Sequence, residues 1–572
     1  MTKTSTAHGA SGLAFRRRAS ALRPILAALL CAAFLALPAA AAHAQGSGSQ
    51  ATPGLVDQRR RAAYAEFAAL LAPDPAFAAI GAQGEPLSLA NLARAGFLAS
   101  GLAAEKVAAY EARLFRFLDE LAAAVDGPRG PGSGSGTAKA GAAAILDARR
   151  AEAALAFLHE RLFKRYELDA TTLDLAMDTG RYNCVSSALV YLLALKRLGI
   201  PAAGVRTVDH AFCLVRLPER DIDVETTNPH GFDPGTKKEF ADGFGRVTGY
   251  SYVPPGDYSR RTTIDERELA ALVLSNRASV LDRTGRYREA LALGTAYDAL
   301  AGGKEGRNFL LDRVNNLAVE LERRRDRDGA EDLVEAARAA LGSEPRLEEL
   351  RAVVAYNRAV SLAEAGRWEE ALAAAERLTT SGAGAKDAAG VADAALAALA
   401  QRLVDARDYA GARALVEAKK SLGSAKAGAQ LLGQIAEAEL ADAAKTLPFR
   451  EALAAADRAL ASGAIPQRRW EEFLAFIYGN EANRIARSGD WLAAAALASE
   501  GAGRAPGSGG LARAAAGFRQ NYVAAAHNRF AALYNKGDYA GAKAAIEAAL
   551  AELPKDATLL SDLALAEKAL KK

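Results

Sequence analysis

Cys184 stands directly after Asn183 and before Val185-Ser186-Ser187-Ala188-Leu189, where an apolar run of helical type begins. Asparagine is a good N-cap, so the spacing predicts Cys184 in the first helical turn. A thiol there meets unbonded backbone N–H groups and the positive end of the helix dipole. Both favour the thiolate, the nucleophilic form, and such positions lower a cysteine pKa from about 8.5 to roughly 3.5–7.5. His210 follows in Val208-Asp209-His210-Ala211-Phe212-Cys213-Leu214-Val215. In extended chain His210, Phe212 and Leu214 share one face and Cys213 takes the other. A turn near Leu217–Arg220 leads into Asp221-Ile222-Asp223-Val224-Glu225-Thr226-Thr227-Asn228. With the hairpin centred on Leu217-Pro218, Glu225 falls opposite His210. Any two-residue shift of register keeps both Glu225 and Asp223 on the face of His210, whereas a three-residue loop would break that parity. The expected chemistry is attack of the Cys184 thiolate on an amide or ester carbonyl. His210 takes and returns the proton, a role worth about 10²–10⁴-fold in rate. Glu225, with Asp223 in reserve, fixes the imidazole tautomer. Backbone N–H groups at the helix start would stabilise the oxyanion.

The same residues admit other readings. A buried cysteine often only fills a core. A Cys184–Cys213 bridge is a further alternative, although strand alternation turns Cys213 away from the His210 face. His210 and His230 are twenty residues apart with no HExxH and no CxxC pair, so no metal is expected. Ser186 and Ser187 lack a G-x-S-x-G elbow. No G-x-x-x-x-G-K-[ST] occurs, which leaves nucleotide hydrolysis without support, and no cofactor is implied. His159 and His527 fall in helical patterns and read as surface or satisfied core residues.

These side chains need a scaffold, and residues 142–262 read as a small α+β unit. A helix is expected over about 147–167 and another over 185–198, closed by Gly199-Ile200-Pro201. Strands are expected over 204–208, 211–217 and 222–227. The order of Asn183-Cys184-Val185-Ser186, Asp209-His210-Ala211-Phe212 and Glu225-Thr226-Thr227-Asn228-Pro229 resembles the transglutaminase-like cysteine hydrolase superfamily, over about Tyr166–Pro234. The resemblance implies a papain-like α+β fold and a Cys184–His210–acid triad. By its place before Thr227-Asn228 the acid is Glu225, where the family usually has aspartate. The tryptophan often found after the histidine is absent; Phe212 stands nearby. The superfamily includes transglutaminases, peptidases, amidases and inactive binding modules, and its bacterial members mostly resemble hydrolases. The turn-rich stretch from Asn228 to Gly235 would rim the cleft.

The rest of the chain divides by composition. Residues 45–125 read as a helical N-terminal region and 126–141 as a Gly/Pro/Ser-rich linker. The G-x-G-x-G of Gly132, Gly134 and Gly136 lies in that linker with no strand before it, so it is not a phosphate loop. From about residue 263 to the end the chain repeats. Tyr287, Arg327, Trp368, Tyr409, Phe449, Trp491 and Tyr539 are separated by 40, 41, 41, 40, 42 and 48 residues. Three residues after each stands an alanine. Eleven before stand Asn276, Asn316, Asn357, Asn480 and Asn528, and two before stand Gly285, Gly366, Gly489 and Gly537. The unit N-x-x-x-x-Φ-x-x-x-G-x-[YW]-x-x-A describes a helical hairpin. The glycine turns the chain, the aromatic wedges into the turn, and the alanine lets the helices approach. A hairpin cannot bury its own face, so neighbours must stack as a solenoid. The Gly–Tyr–Ala core resembles tetratricopeptide repeats, with a longer period and with Arg325 and Arg327 in place of glycine and aromatic. An unpatterned alanine-rich bundle is the alternative.

The 572 residues are 51% hydrophobic and 24% charged, too long for one core and too apolar for disorder. The formal charge of +4 includes five basic residues within 1–44 and no acid there; without that segment it is −1. A near-neutral chain has no electrostatic footprint for nucleic acid. Arg16–Arg23, the apolar run Ile25–Leu37 and Ala42-His43-Ala44 form a secretory signal peptide, with cleavage expected after Ala44. The run is too short to span a bilayer, and an uncleaved anchor is the alternative. The expectation is thus an exported, periplasmic or secreted multidomain protein, not membrane-spanning after cleavage. It joins a transglutaminase-like domain to an all-α repeat solenoid. Its expected substrate is a protein or peptide, with a protein partner on the repeats. The alternatives are a catalytically inactive scaffold and a cell-envelope interaction protein.

Overall fold

A computed structural model describes residues 53–127, 140–236, 261–380 and 385–571. The segment expected to be a signal peptide and most of the expected 126–141 linker lie outside the described residues. The chain forms two compact units, 43–357 and the chain from 358 onward. Among the described residues helix dominates both, with two small sheets in the first. Among the described residues no helix is long and apolar enough to cross a membrane.

The first unit opens with α1 (Pro53–Leu70), α2 (Pro75–Gly81), α3 (Leu89–Ala99), α4 (Ala104–Asp126) and α5 (Ala140–Arg161). The strands β1 (Arg165–Tyr166) and β2 (Arg181–Tyr182) pair in parallel around α6 (Leu173–Thr179). The helix expected over 147–167 therefore ends at Arg161, because the chain beyond it is claimed by strand pairing. Next comes α7 (Cys184–Leu198), buried on nearly every side from Cys184 to Leu195. A helix apolar all round must be a core helix, and α7 packs against helices α3–α6 and the strands β3 and β4. It ends at Gly199, whose φ of 73° gives the left-handed cap that glycine adopts without a Cβ clash.

The main sheet has the order β5-β4-β3-β6, all antiparallel, from β3 (Ala202–Arg206), β4 (Ala211–Arg216), β5 (Asp221–Val224) and β6 (Thr262–Ile264). The edge strand β6 was not expected from the sequence; three residues carry too little periodicity to be seen. The strand expected over 222–227 stops at Val224, because the chain turns at Thr226 and folds back. Glu225 N–H then donates to the Gly231 carbonyl at 2.8 Å. Gly231 has no room for a side chain: a Cβ would lie 1.9 Å from the Glu225 carbonyl oxygen.

The repeats follow. In the first unit α8 (Glu266–Arg283) pairs with α9 (Tyr287–Ala301), and α10 (Gly303–Arg323) with α11 (Arg327–Leu341). The N-terminal helices pack on these hairpins and on the α+β part: α1 on α11, α2 on α9, and α3 on α7 and α8. Arg60 donates to Asp332 at 2.9 Å, and Phe67 and Leu71 enter the core between α9, α10 and α11. Residues 53–125 thus share one compact unit with the strands and the first hairpins. Helix α12 (Pro345–Glu364) contains the boundary between the units.

The second unit continues with α13 (Trp368–Thr380), α14 (Ala385–Asp405), α15 (Tyr409–Lys419), α16 (Ala425–Thr446), α17 (Phe449–Ala461) and α18 (Gln467–Arg487). It ends with α19 (Trp491–Arg504), α20 (Gly509–Tyr534), α21 (Tyr539–Glu552) and α22 (Ala557–Leu570). From α13 on each helix packs on the next. All seven anchor residues are the first residue of a helix. The alanine three positions on is at most 2% exposed in every case. Gly285, Gly366, Gly489 and Gly537 all have positive φ, and Arg325 and Arg407 hold the same place with φ of 63° and 60°. Where Arg327 replaces the aromatic, its guanidinium donates to the Glu322 carbonyl at 2.9 Å and pairs with the Glu322 carboxylate.

Candidate active site

Asn183 fixes the start of α7. Its side chain accepts from Val185 N at 3.0 Å and Ser186 N at 3.1 Å, and Ser186 Oγ accepts from Asn183 N at 2.9 Å. This reciprocal cap satisfies donors that a helix start leaves open. Asn183 Nδ2 also donates to the Leu168 carbonyl at 2.9 Å. Cys184, the first helical residue, is thereby held at a defined point, 6% exposed. The cap changes the expected oxyanion donors. Val185 and Ser186 give their N–H groups to Asn183, while among the described residues none accepts from the Cys184 N–H.

The β4–β5 hairpin has a two-residue loop, Pro218-Glu219, with Leu214 opposite Asp223 and Cys213 opposite Val224. That register is shifted by two residues from one centred on Leu217-Pro218. Parity is kept: His210 and Glu225 lie on one face, diagonally rather than directly opposed. Each sits one residue beyond its strand end. His210 Nε2–H donates to Glu225 Oε2 at 2.7 Å, with both side chains buried. The Cys184 thiol lies within interaction range of the same ring. Burial opposes a charge on His210. The Glu225 carboxylate and its hydrogen bond, with the Cys184 sulfur nearby, outweigh it, so the pKa of the ring is raised far above its ordinary 6.5.

Glu225 is itself oriented. Thr227 donates to its Oε1 from Oγ1 at 2.7 Å and from N at 3.2 Å. Asp223, the reserve acid, is taken by another partner: Arg261 Nη1 and Nη2 hold its two oxygens at 2.7 Å each. The guanidinium of Arg261 also lies 5.0 Å over the ring of Phe212. The structure therefore brings Cys184, His210 and Glu225 together and gives Asp223 to a buried ion pair. Cys213 points to the opposite face, donates to the Ala188 carbonyl at 3.3 Å, and is driven up in pKa by burial first and by the Glu225 charge. Both cysteines are free thiols.

Three side chains that sequence reasoning left aside converge on the loop carrying Glu225. His159 Nε2 contacts the Thr226 carbonyl at 3.1 Å, and Ser187 Oγ lies 2.8 Å from Thr226 Oγ1. Tyr182 Oη donates to the Thr227 carbonyl at 3.3 Å. No local pattern marks them, since their partner lies 39 to 67 residues away. His230 stays in its own turn, its N–H donating to Asn228 Oδ1 at 2.9 Å. His527 bonds Asp562 at 2.7 Å on the repeat helices. The sequence matches no family model and no curated protein.

Proposed function

We propose that the protein is a transglutaminase-like cysteine hydrolase or acyltransferase acting at amide bonds of a protein or peptide. The observation that carries this reading is one buried imidazole bonded to Glu225 at 2.7 Å and close enough to the thiol at the start of α7 to interact with it. Because a carboxylate only accepts, Nε2 carries the hydrogen, and Nδ1 exchanges the proton with sulfur. The thiolate attacks the carbonyl carbon and forms an acyl-enzyme after His210 protonates the departing amine. Water or a second amine, deprotonated by His210, then releases the acyl group. The Cys184 N–H is the donor suited to the oxyanion. The repeats, as a tetratricopeptide-like solenoid, would recruit the substrate or a partner, and the N-terminal segment would direct export.

Hydrolysis of a casein-type substrate and amine incorporation into it test the reading. Cys184→Ala should abolish either activity while melting as wild type does. Iodoacetamide that labels Cys184 should abolish either activity. Unchanged turnover in Cys184→Ala would sink the proposal. A non-enzymatic scaffold is the second reading. It is favoured by one observation: Cys184 and His210 are each only 6% exposed.

A further inference from the structure

We infer that His159 is a positioning residue for the Cys184–His210–Glu225 site, acting through the backbone of Thr226; the inference rests on the reading of that site given above. His159 lies on α5, outside the strands and helix that carry the triad. A carbonyl oxygen can only accept, so the 3.1 Å contact to Thr226 requires Nε2 to carry the hydrogen. The ring is fixed edge-on against Phe163 and Tyr182, at centroid distances of 5.4 and 6.0 Å. The donor therefore has one direction. Thr226 is the residue between Glu225 and Thr227, and Thr227 holds Glu225 Oε1. Fixing the Thr226 carbonyl fixes the Thr226–Thr227 peptide plane, whose N–H donates to Glu225 Oε1 at 3.2 Å. That in turn sets how the carboxylate meets both Thr227 and His210.

The need for such a tie follows from where Glu225 sits. It lies past the last ladder pair of β5, so the sheet does not hold it. Ser187 holds the Thr226 side chain, and Gly231 pairs with the Glu225 N–H. His159 supplies the restraint on the carbonyl side. Burial, the largest influence on this ring, keeps it neutral, so it donates without placing a positive charge beside Glu225.

His159→Phe keeps a ring of similar size and removes the donor. His159→Gln returns an amide N–H near the Nε2 position. For His159→Phe the expected result is a 10- to 100-fold fall in kcat with KM within twofold, the scale of a misplaced catalytic group. His159→Gln should restore most of the loss. The downfield imidazole proton of the His210–Glu225 bond, assigned by its absence in Glu225→Gln, should broaden or vanish in His159→Phe and return in His159→Gln. His159→Leu serves where the phenylalanine variant does not fold. A retained resonance together with unchanged kcat in a folded donorless variant overturns the inference. If turnover survives Cys184→Ala while the resonance still depends on His159, the enzyme reading fails and the positioning role stands.

Discussion

The first hairpins and the later ones carry the same asparagine but use it differently. Asn316 donates to Asp282 at 3.1 Å and Asn357 to Glu322 at 3.1 Å, each tying a hairpin to the acid five residues before the preceding anchor. Asn276 ties the first hairpin to Thr171 of the α+β part at 3.0 Å. In the second unit Asn480 and Asn528 are exposed, and the five-before position there holds alanine, valine or tyrosine. The later hairpins rely on buried alanines and aromatics instead. One repeat pattern thus supports a polar clasp where the partner acid is present and plain apolar stacking where it is absent. The Cys184 neighbourhood extends the polar extreme: buried Cys184, His210 and Glu225 lie together, with a single hydrogen bond between His210 and Glu225 and no periodic substitute for any of them.

The sharpest test of that contrast is His210→Ala. It leaves the fully buried Glu225 carboxylate with Thr227 alone, and breaking a buried pair costs about 3 kcal/mol. Denaturant unfolding should show that loss together with loss of turnover, whereas Cys184→Ala should lose turnover only. The pair also has a pH signature. The pKa of His210 is raised in the fold, so its stabilisation is complete below the unfolded value near 6.5 and is lost as pH rises through the folded value. The gap in melting temperature between wild type and His210→Ala should therefore narrow under alkaline conditions.

Gly231→Ala comes next. Its Cβ would overlap the Glu225 carbonyl oxygen, so the turn must shift, at a cost of about 1–3 kcal/mol. Thermal unfolding and the rate of Cys184 alkylation should both change; a neutral result would mean that the turn yields without moving Glu225. Asn316→Ala should cost about 1 kcal/mol and Asn528→Ala less than about 0.5 kcal/mol, read by urea unfolding. Equal costs would erase the distinction between clasped and stacked hairpins. The smallest expected change is a gain: Arg325→Gly relieves a φ of 63° and should stabilise by about 0.5–1 kcal/mol once glycine's greater chain entropy is subtracted.

The hairpin architecture was legible because its signals are local and recur. Seven anchors in register name seven helix starts, and positive φ at Arg325 and Arg407 shows that the turn persists without glycine. The face shared by His210 and Glu225 was legible too, since an even-length loop preserves strand parity. The hairpin centre was displaced by one residue along the chain, which moved Glu225 to a diagonal position. Asp223 could not be separated from Glu225 by parity. Only the arrival of Arg261, 38 residues on, divides them.

What the amino-acid order settled by itself is whatever a few neighbouring residues can enforce: the cap that makes Cys184 a helix start, the alternation of β4, and the small residue at each helix crossing. The fold decided which distant groups meet. His159 reaches Thr226, Thr171 takes Asn276, and α1 lies on α11 because burying apolar surface is non-directional and selects partners by shape and volume rather than by a readable code. A hydrogen bond formed across that packing is specific in space and silent in sequence.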